Sequence, residues 1–208
     1  MKKIVVDILL LLLLVTEFSK LYFTSFIHEL VGLLLLVVVI IHLILNRNYL
    51  KNIFKGKYNF NRLILLLVNV GMFLSMILSI IFGIMVSQSI FKSISSFNLG
   101  ISRLHYITSY LSLLLVGIHL GLNLNQIKSK MSFFNNKIVC YIIDIIVIVY
   151  GIYSFIKVDF IGRITGNNIL FMIETNVVFN YMRYLSLILM FSIITYLINK
   201  IIVKNRSS

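Results

Sequence analysis

Four histidines, His28, His42, His105 and His119, make up the whole imidazole complement of the chain, and their spacing is duplicated. Fourteen residues separate the members of each pair, and the second pair follows the first by 77. Imidazole hydrogen-bonds, titrates near neutral pH and ligates transition metals. Yet these four sit in runs of near-hydrocarbon, IHELVGLLLLVVVIIHLILN at 27–46 and LHYITSYLSLLLVGIHLGLN at 104–123, where an ionisable residue is a functional candidate by default. On an α-helix fourteen residues rise about 21 Å and return to within roughly 40° of the starting face. Two such helices, parallel and facing, present two His–His clamps stacked one above the other. An iron porphyrin fits that arrangement, taking one imidazole on each axial side and hiding its ring among helices. The spacing therefore predicts two haems, one held by His28 with His105 and one by His42 with His119. A single histidine at a helix end, bonded to a carbonyl or to water, is the plainer reading of any one of them, and the doubled spacing argues against it.

The elements that must carry these residues are membrane helices. Sixty per cent of the 208 residues are hydrophobic and the mean hydropathy is +1.05, well above the roughly 45–50% apolar content of soluble domains. Stretches near the ~20 residues a bilayer-spanning helix needs fall at about 4–24, 26–46, 63–87, 104–123, 138–156 and 181–200. The expected fold is all-α and polytopic, with six transmembrane helices. The N-terminal run resembles a signal peptide, but Asp7 interrupts it and no small-residue cleavage site follows, so it is taken as the first span. With the N-terminus inside, thirteen of the nineteen Lys and Arg residues fall on the inner side, and the positive-inside rule puts both termini in the cytoplasm, in a bacterial cytoplasmic membrane. Topology also accounts for the net charge of +13 better than nucleic-acid binding does, because the basic residues lie between spans. Cys140 is the sole cysteine; it excludes a disulfide framework, a thiolate zinc cluster and a CxxCH haem attachment.

The His runs also share Asn46 with Asn123, each four residues beyond the second histidine, and each run is preceded by another apolar span. Residues 1–127 thus read as a duplicated two-helix hairpin forming a four-helix haem bundle, and 128–208 as two further helices with an outer, amphipathic segment at 161–180. Gly71, Ser75, Ser79, Gly83 and Ser87 recur every four residues, a small-residue stripe that either packs helices closely or, with Gly32 and Gly117, makes room for porphyrin faces. Arg103 and Arg47 lie near the depth of the haem edges as candidate propionate partners, Arg47 equally as a membrane anchor. Thr108, Ser109, Asn46 and Asn123 are candidates to orient the imidazoles, a task backbone carbonyls also perform. Glu17 and Glu29 are candidate proton relays or simply solvated carboxylates. Asp144 is placed to pair with a neighbouring helix, and Asp7 lies near the inner surface.

The pattern H-x13-H on two parallel helices resembles the di-haem cytochrome b bundle and the transmembrane ferric reductases. Across residues 1–127 it is most similar to small bacterial cytochrome-b-like membrane proteins. The resemblance implies non-covalent b-type haem at both histidine pairs and an electron-transfer role within an oxidoreductase. Electrons would pass between an inner donor or the quinone pool and an outer acceptor, for which the resemblance suggests an extracytosolic flavoprotein or a metal ion. The chain lacks the extra spans and quinone-site motifs of respiratory cytochrome b, and it has neither the flavin and nicotinamide domains of ferric reductases nor a G-x-G-x-x-G loop. A transition-metal transporter lined by the histidines and a non-catalytic membrane anchor subunit are the competing classes.

Overall fold

In the computed structural model the described residues are 2–53, 55–96, 98–128, 137–168 and 176–207, and they contain helices and no strand. Helix α1 spans Lys2–Glu17, α2 Ser25–Leu45, α3 Arg47–Asn52, α4 Phe60–Met85, α5 Leu99–Lys128, α6 Lys137–Lys157, α7 Phe160–Ile164 and α8 Val177–Ser207. Local chemistry sets several of these boundaries. Thr24 caps α2 by accepting from the Ile27 N–H, Asn59 caps α4 by accepting from Arg62 N–H, and Asp159 caps α7 by accepting from Gly162 N–H. Each such cap satisfies an orphan donor of the first turn.

Among the described residues five helices are long and apolar enough to cross a membrane, with windows at Ser25–Leu45, Phe60–Met85, Leu99–Asn125, Ile138–Lys157 and Val177–Ile202. The expected first span over 4–24 is realised as a shorter helix. Its 16 residues reach about 24 Å against a ~30 Å hydrocarbon core, because the chain leaves α1 at Glu17 and turns through one 3₁₀ turn at Lys20–Tyr22. The segment 161–180 is not one amphipathic helix. Its start belongs to the five-residue α7, Gly166 turns the backbone at φ +73°, α8 begins at Val177, and residues 169–175 lie outside the described residues.

Helix α1 packs along α2 and α4 along α5, while α8 packs between α5 and α6 and also reaches α1. Gly117 and Gly121 let α5 and α8 approach: a Cβ on Gly117 would stand 2.6 Å from Phe191 Cβ and 2.9 Å from the Ile188 carbonyl oxygen, and one on Gly121 2.6 Å from Thr195 Cβ. The buried core lies along this seam, with Leu113, Leu187, Ile188, Tyr110, Tyr184 and Met190 joined by Val15 of α1 and Phe160 of α7. Helix α8 thereby ties residues 128–208 into the same core as the two hairpins. Several polar groups along these seams are paired, as a low dielectric favours: Tyr110 with Tyr184 through their hydroxyls at 2.9 Å, Asn180 Nδ2 donating to Ser19 Oγ at 2.9 Å, and Tyr181 donating to Thr16 Oγ1 at 3.0 Å. The contacts Lys3 Nζ to Asn46 and Tyr22 to Asn176 place the two ends of the bundle. The end with residues 17–28, 86–96, 98–105, 158–168 and 176–180 is called the far end below, and the opposite one the terminal end.

Candidate functional site

At the far end the rings of His28 on α2 and His105 on α5 stand edge to face, with centroids 6.4 Å apart and planes 86° apart, and both border one cavity. About 1430 Å³ of empty space, counting its open mouth, runs between α1, α2, α4 and α5, bordered by Glu17, Lys20, Gly83, Tyr110, Arg163 and Tyr184 as well as by the two histidines. Two metal–nitrogen bonds of about 2 Å, in line between two imidazoles, put the ring centres a little over ~6 Å apart. The observed separation meets that span. His42 on α2 and His119 on α5 lie at the terminal end, with Asp7 and Asn69 beside them.

Each of the four imidazoles is held at Nδ1 by the first helix of its own hairpin. On α1, Glu17 Oε2 stands 3.0 Å from His28 Nδ1, and Asp7 Oδ1 2.9 Å from His42 Nδ1. On α4, the Ser79 carbonyl oxygen lies 2.8 Å from His105 Nδ1, and Asn69 Oδ1 2.7 Å from His119 Nδ1. The Glu17–His28 contact has ion-pair distance without the alignment of a hydrogen bond. At His42, His105 and His119 the acceptor bonded at Nδ1 keeps the neutral ring's proton there, which makes Nε2 the lone-pair nitrogen available to a metal. Nε2 of His28, His105 and His119 makes no hydrogen bond among the described residues, while Nε2 of His42 has the Asn46 amide nitrogen at 3.3 Å.

The residues expected to orient the rings act instead on the helix backbone. Asn46 and Asn123 donate to the carbonyls of His42 and His119 at 3.0 and 2.8 Å, the same bond in both copies of the repeat. Ser109 donates to the His105 carbonyl at 2.7 Å, and Thr108 to those of Leu104 and His105. The partners of the rings, Asp7, Glu17, Asn69 and Ser79, were legible only as a shared register: two acceptors ten residues apart on the first helix of each hairpin, facing two histidines fourteen apart on the second.

The small-residue stripe is the α4–α5 seam. Ser112 donates to Ser75 Oγ at 2.9 Å, the Ser79 and Ser109 hydroxyls are 2.6 Å apart, and a Cβ on Gly71 would rest 3.4 Å from Leu115. Gly83 alone of these glycines bears on a histidine, since its Cβ would stand 3.1 Å from His105 Cε1. Gly32 faces the Glu17 carboxylate, and Gly117 serves α8. Arg103 lies with its chain against Gly166, outside the cavity lining, and Arg47 is exposed at the start of α3. The cations that border the cavity are Lys20 and Arg163; the latter is buried, donates from Nε to the Val158 carbonyl at 2.7 Å and stands over the Tyr110 ring.

Glu29 is a structural strut. Its carboxylate accepts from Ser87 Oγ and from the N–H groups of Gln88, Ser89 and Ile90, tying α2 to the α4–α5 connection. Asp144 and Cys140 are half-buried on α6. Among the described residues no three His, Cys, Asp or Glu side chains converge to hold an ion. No family model matches the sequence, and neither a curated protein nor a solved structure matches the chain.

Proposed function

We propose that this protein is a di-haem b-type membrane cytochrome that carries electrons across the membrane, with His28 and His105 as axial ligands at the far end and His42 and His119 at the terminal end. The observation that carries the reading is the imidazole pair 6.4 Å apart at the far-end cavity, with Nδ1 of His42, His105 and His119 hydrogen-bonded to an acceptor on their own hairpin and that of His28 3.0 Å from Glu17. That is the preparation a histidine ligand needs, because the partner fixes the tautomer and the ring orientation. Bound haem would supply one-electron chemistry at each tier, its potential set by ligand bonding and burial.

The chain's own residues divide the remaining work. Hairpin α1–α2 and hairpin α4–α5 each present one imidazole per tier, and the cavity between them is walled by apolar side chains with Ser and Tyr hydroxyls. Arg163 and Lys20 border the far-end cavity and would supply positive charge suited to the carboxylates of a porphyrin edge. In this reading α1 completes a six-span bundle with both termini in the cytoplasm; electrons enter from an inner donor or the quinone pool and leave to an extracytosolic acceptor. Resemblance to the cytochrome b bundle supports the same assignment. A transition-ion pathway would call for cages of three or more side-chain ligands, and the described residues offer none.

Pairing makes a testable demand on haem content. H28A and H105A should each remove the same haem, and the double variant no more than either alone; H42A and H119A should likewise remove the other. Purified variants assayed as the pyridine complex give this directly. Additive losses across four single variants, or none, overturn the assignment.

A further inference from the structure

Resting on the cytochrome reading, we infer that the two ligands of each tier are electronically unequal by design: Glu17 and Asp7 are positioning residues that hold the α2 imidazoles by a carboxylate and depress the reduction potential, while the α5 imidazoles are held by neutral oxygens. Hydrogen bonds name the partner at three of the four rings, the Ser79 hydroxyl standing farther from His105 Nδ1, at 3.4 Å, than its carbonyl; at His28 the contact has ion-pair distance alone. At the far end His28 meets Glu17 Oε2 at 3.0 Å and His105 meets a backbone carbonyl at 2.8 Å. At the terminal end His42 meets Asp7 Oδ1 at 2.9 Å and His119 meets the Asn69 amide oxygen at 2.7 Å. Both carboxylates come from α1 and both neutral acceptors from α4, so the inequality follows the repeat: Asp7 and Asn69 occupy matching positions, as do Glu17 and Ser79.

A carboxylate accepting from Nδ1–H raises the basicity of the imidazole at Nε2 more than a neutral oxygen does. A more basic ligand, with a negative charge close behind it, favours the oxidised, more positively charged iron. In the titration the electrode would supply the one electron a bound iron takes up, and Asp7 and Glu17 would act through their charge without a proton having to leave Nδ1. Exposure separates the two tiers: the Glu17 side chain is 17% exposed and that of Asp7 49%. Water screens the charge of Asp7 more strongly than that of Glu17.

The test is a spectroelectrochemical titration of purified, haem-loaded protein, with haem per chain measured on the same samples. E17Q should raise the potential of one titration wave by about 59 mV, a tenfold shift of a one-electron equilibrium, and leave the other wave in place. D7N should raise the other wave by less. N69D, which installs a carboxylate behind His119, should lower the wave that D7N raises, and S79A, which keeps the backbone carbonyl, should move neither by a comparable amount. Should E17Q cost the protein its fold, N69D carries the same decision with opposite sign. Two haems per chain with unmoved waves in E17Q and N69D overturn this inference and leave the cytochrome reading standing. A wild-type chain without haem removes both.

Discussion

Gly83 and Gly71 lie twelve residues apart on one stripe, yet the structure gives them different duties. A Cβ at Gly83 would press on His105 Cε1 at 3.1 Å, whereas one at Gly71 would make ordinary contact with Leu115 at 3.4 Å. A valine at Gly83 should therefore turn the His105 ring and reduce haem from two per chain towards one, while G71A should leave both; the pyridine assay decides, and equal retention in both variants contradicts the placement. The histidines themselves were legible from sequence because ionisable groups are rare in hydrocarbon and a repeated interval of fourteen is difficult to produce by chance. Their partners were not. Asn69 and Ser79 are common neutral residues in membrane helices, and the bond to His105 comes from a main-chain carbonyl, which no residue type announces. Arg103 illustrates the opposite failure: depth along a helix placed it beside a haem edge, but direction around the helix sends it to Gly166, and Arg163 from the short α7 borders the cavity instead.

Between elements, stability comes from close approach rather than from apolar burial, since lipid tails satisfy hydrocarbon as well as protein does. The α5–α8 seam leaves no room for a branched side chain at Gly121, whose Cβ would already lie 2.6 Å from Thr195 Cβ. G121V should cost roughly 1–3 kcal/mol of overpacking, seen as a lower unfolding temperature in detergent, whereas S112A, which removes the hydroxyl shared between Ser75 Oγ and the Thr108 carbonyl, should cost about 0.6 kcal/mol for its one interhelical hydrogen bond. Comparable losses in the two variants would contradict this ranking. The α7 turn has a pH signature of its own. Asp159 sits at φ +47° and accepts from Asn168 Nδ2 and Gly162 N–H, and these bonds hold its carboxyl below the usual carboxylate range. Its contribution is therefore present above the ordinary value of about 4 and is lost as pH falls through the lower folded value. Proteolytic cleavage near residues 158–168 should rise over that acid window in the wild type and be nearly independent of it in D159A. Sequence could not foresee this element, because a five-residue helix leaves too little periodicity to read, and the polar run around it looked like one amphipathic segment.

At the scale of the whole molecule, the all-helical, membrane-type character follows from composition alone, and five helices have the length and hydropathy to span. The role of α1 was less legible: apolar content predicted a span to residue 24, but the cap chemistry at Thr24 and the turn before it end the helix at Glu17. The segregation of basic residues predicts that a phosphatase fused after residue 207 stays inactive and a fluorescent protein there folds, placing that end in the cytoplasm; phosphatase activity would reverse the orientation. The central claim concerns what lies between the two histidine helices. Its most direct measurement is the pyridine-complex absorbance of the purified protein together with its spectrum before and after dithionite. Two b-type haems per chain, both reducible, are the predicted result, and a preparation that is folded and colourless would contradict it.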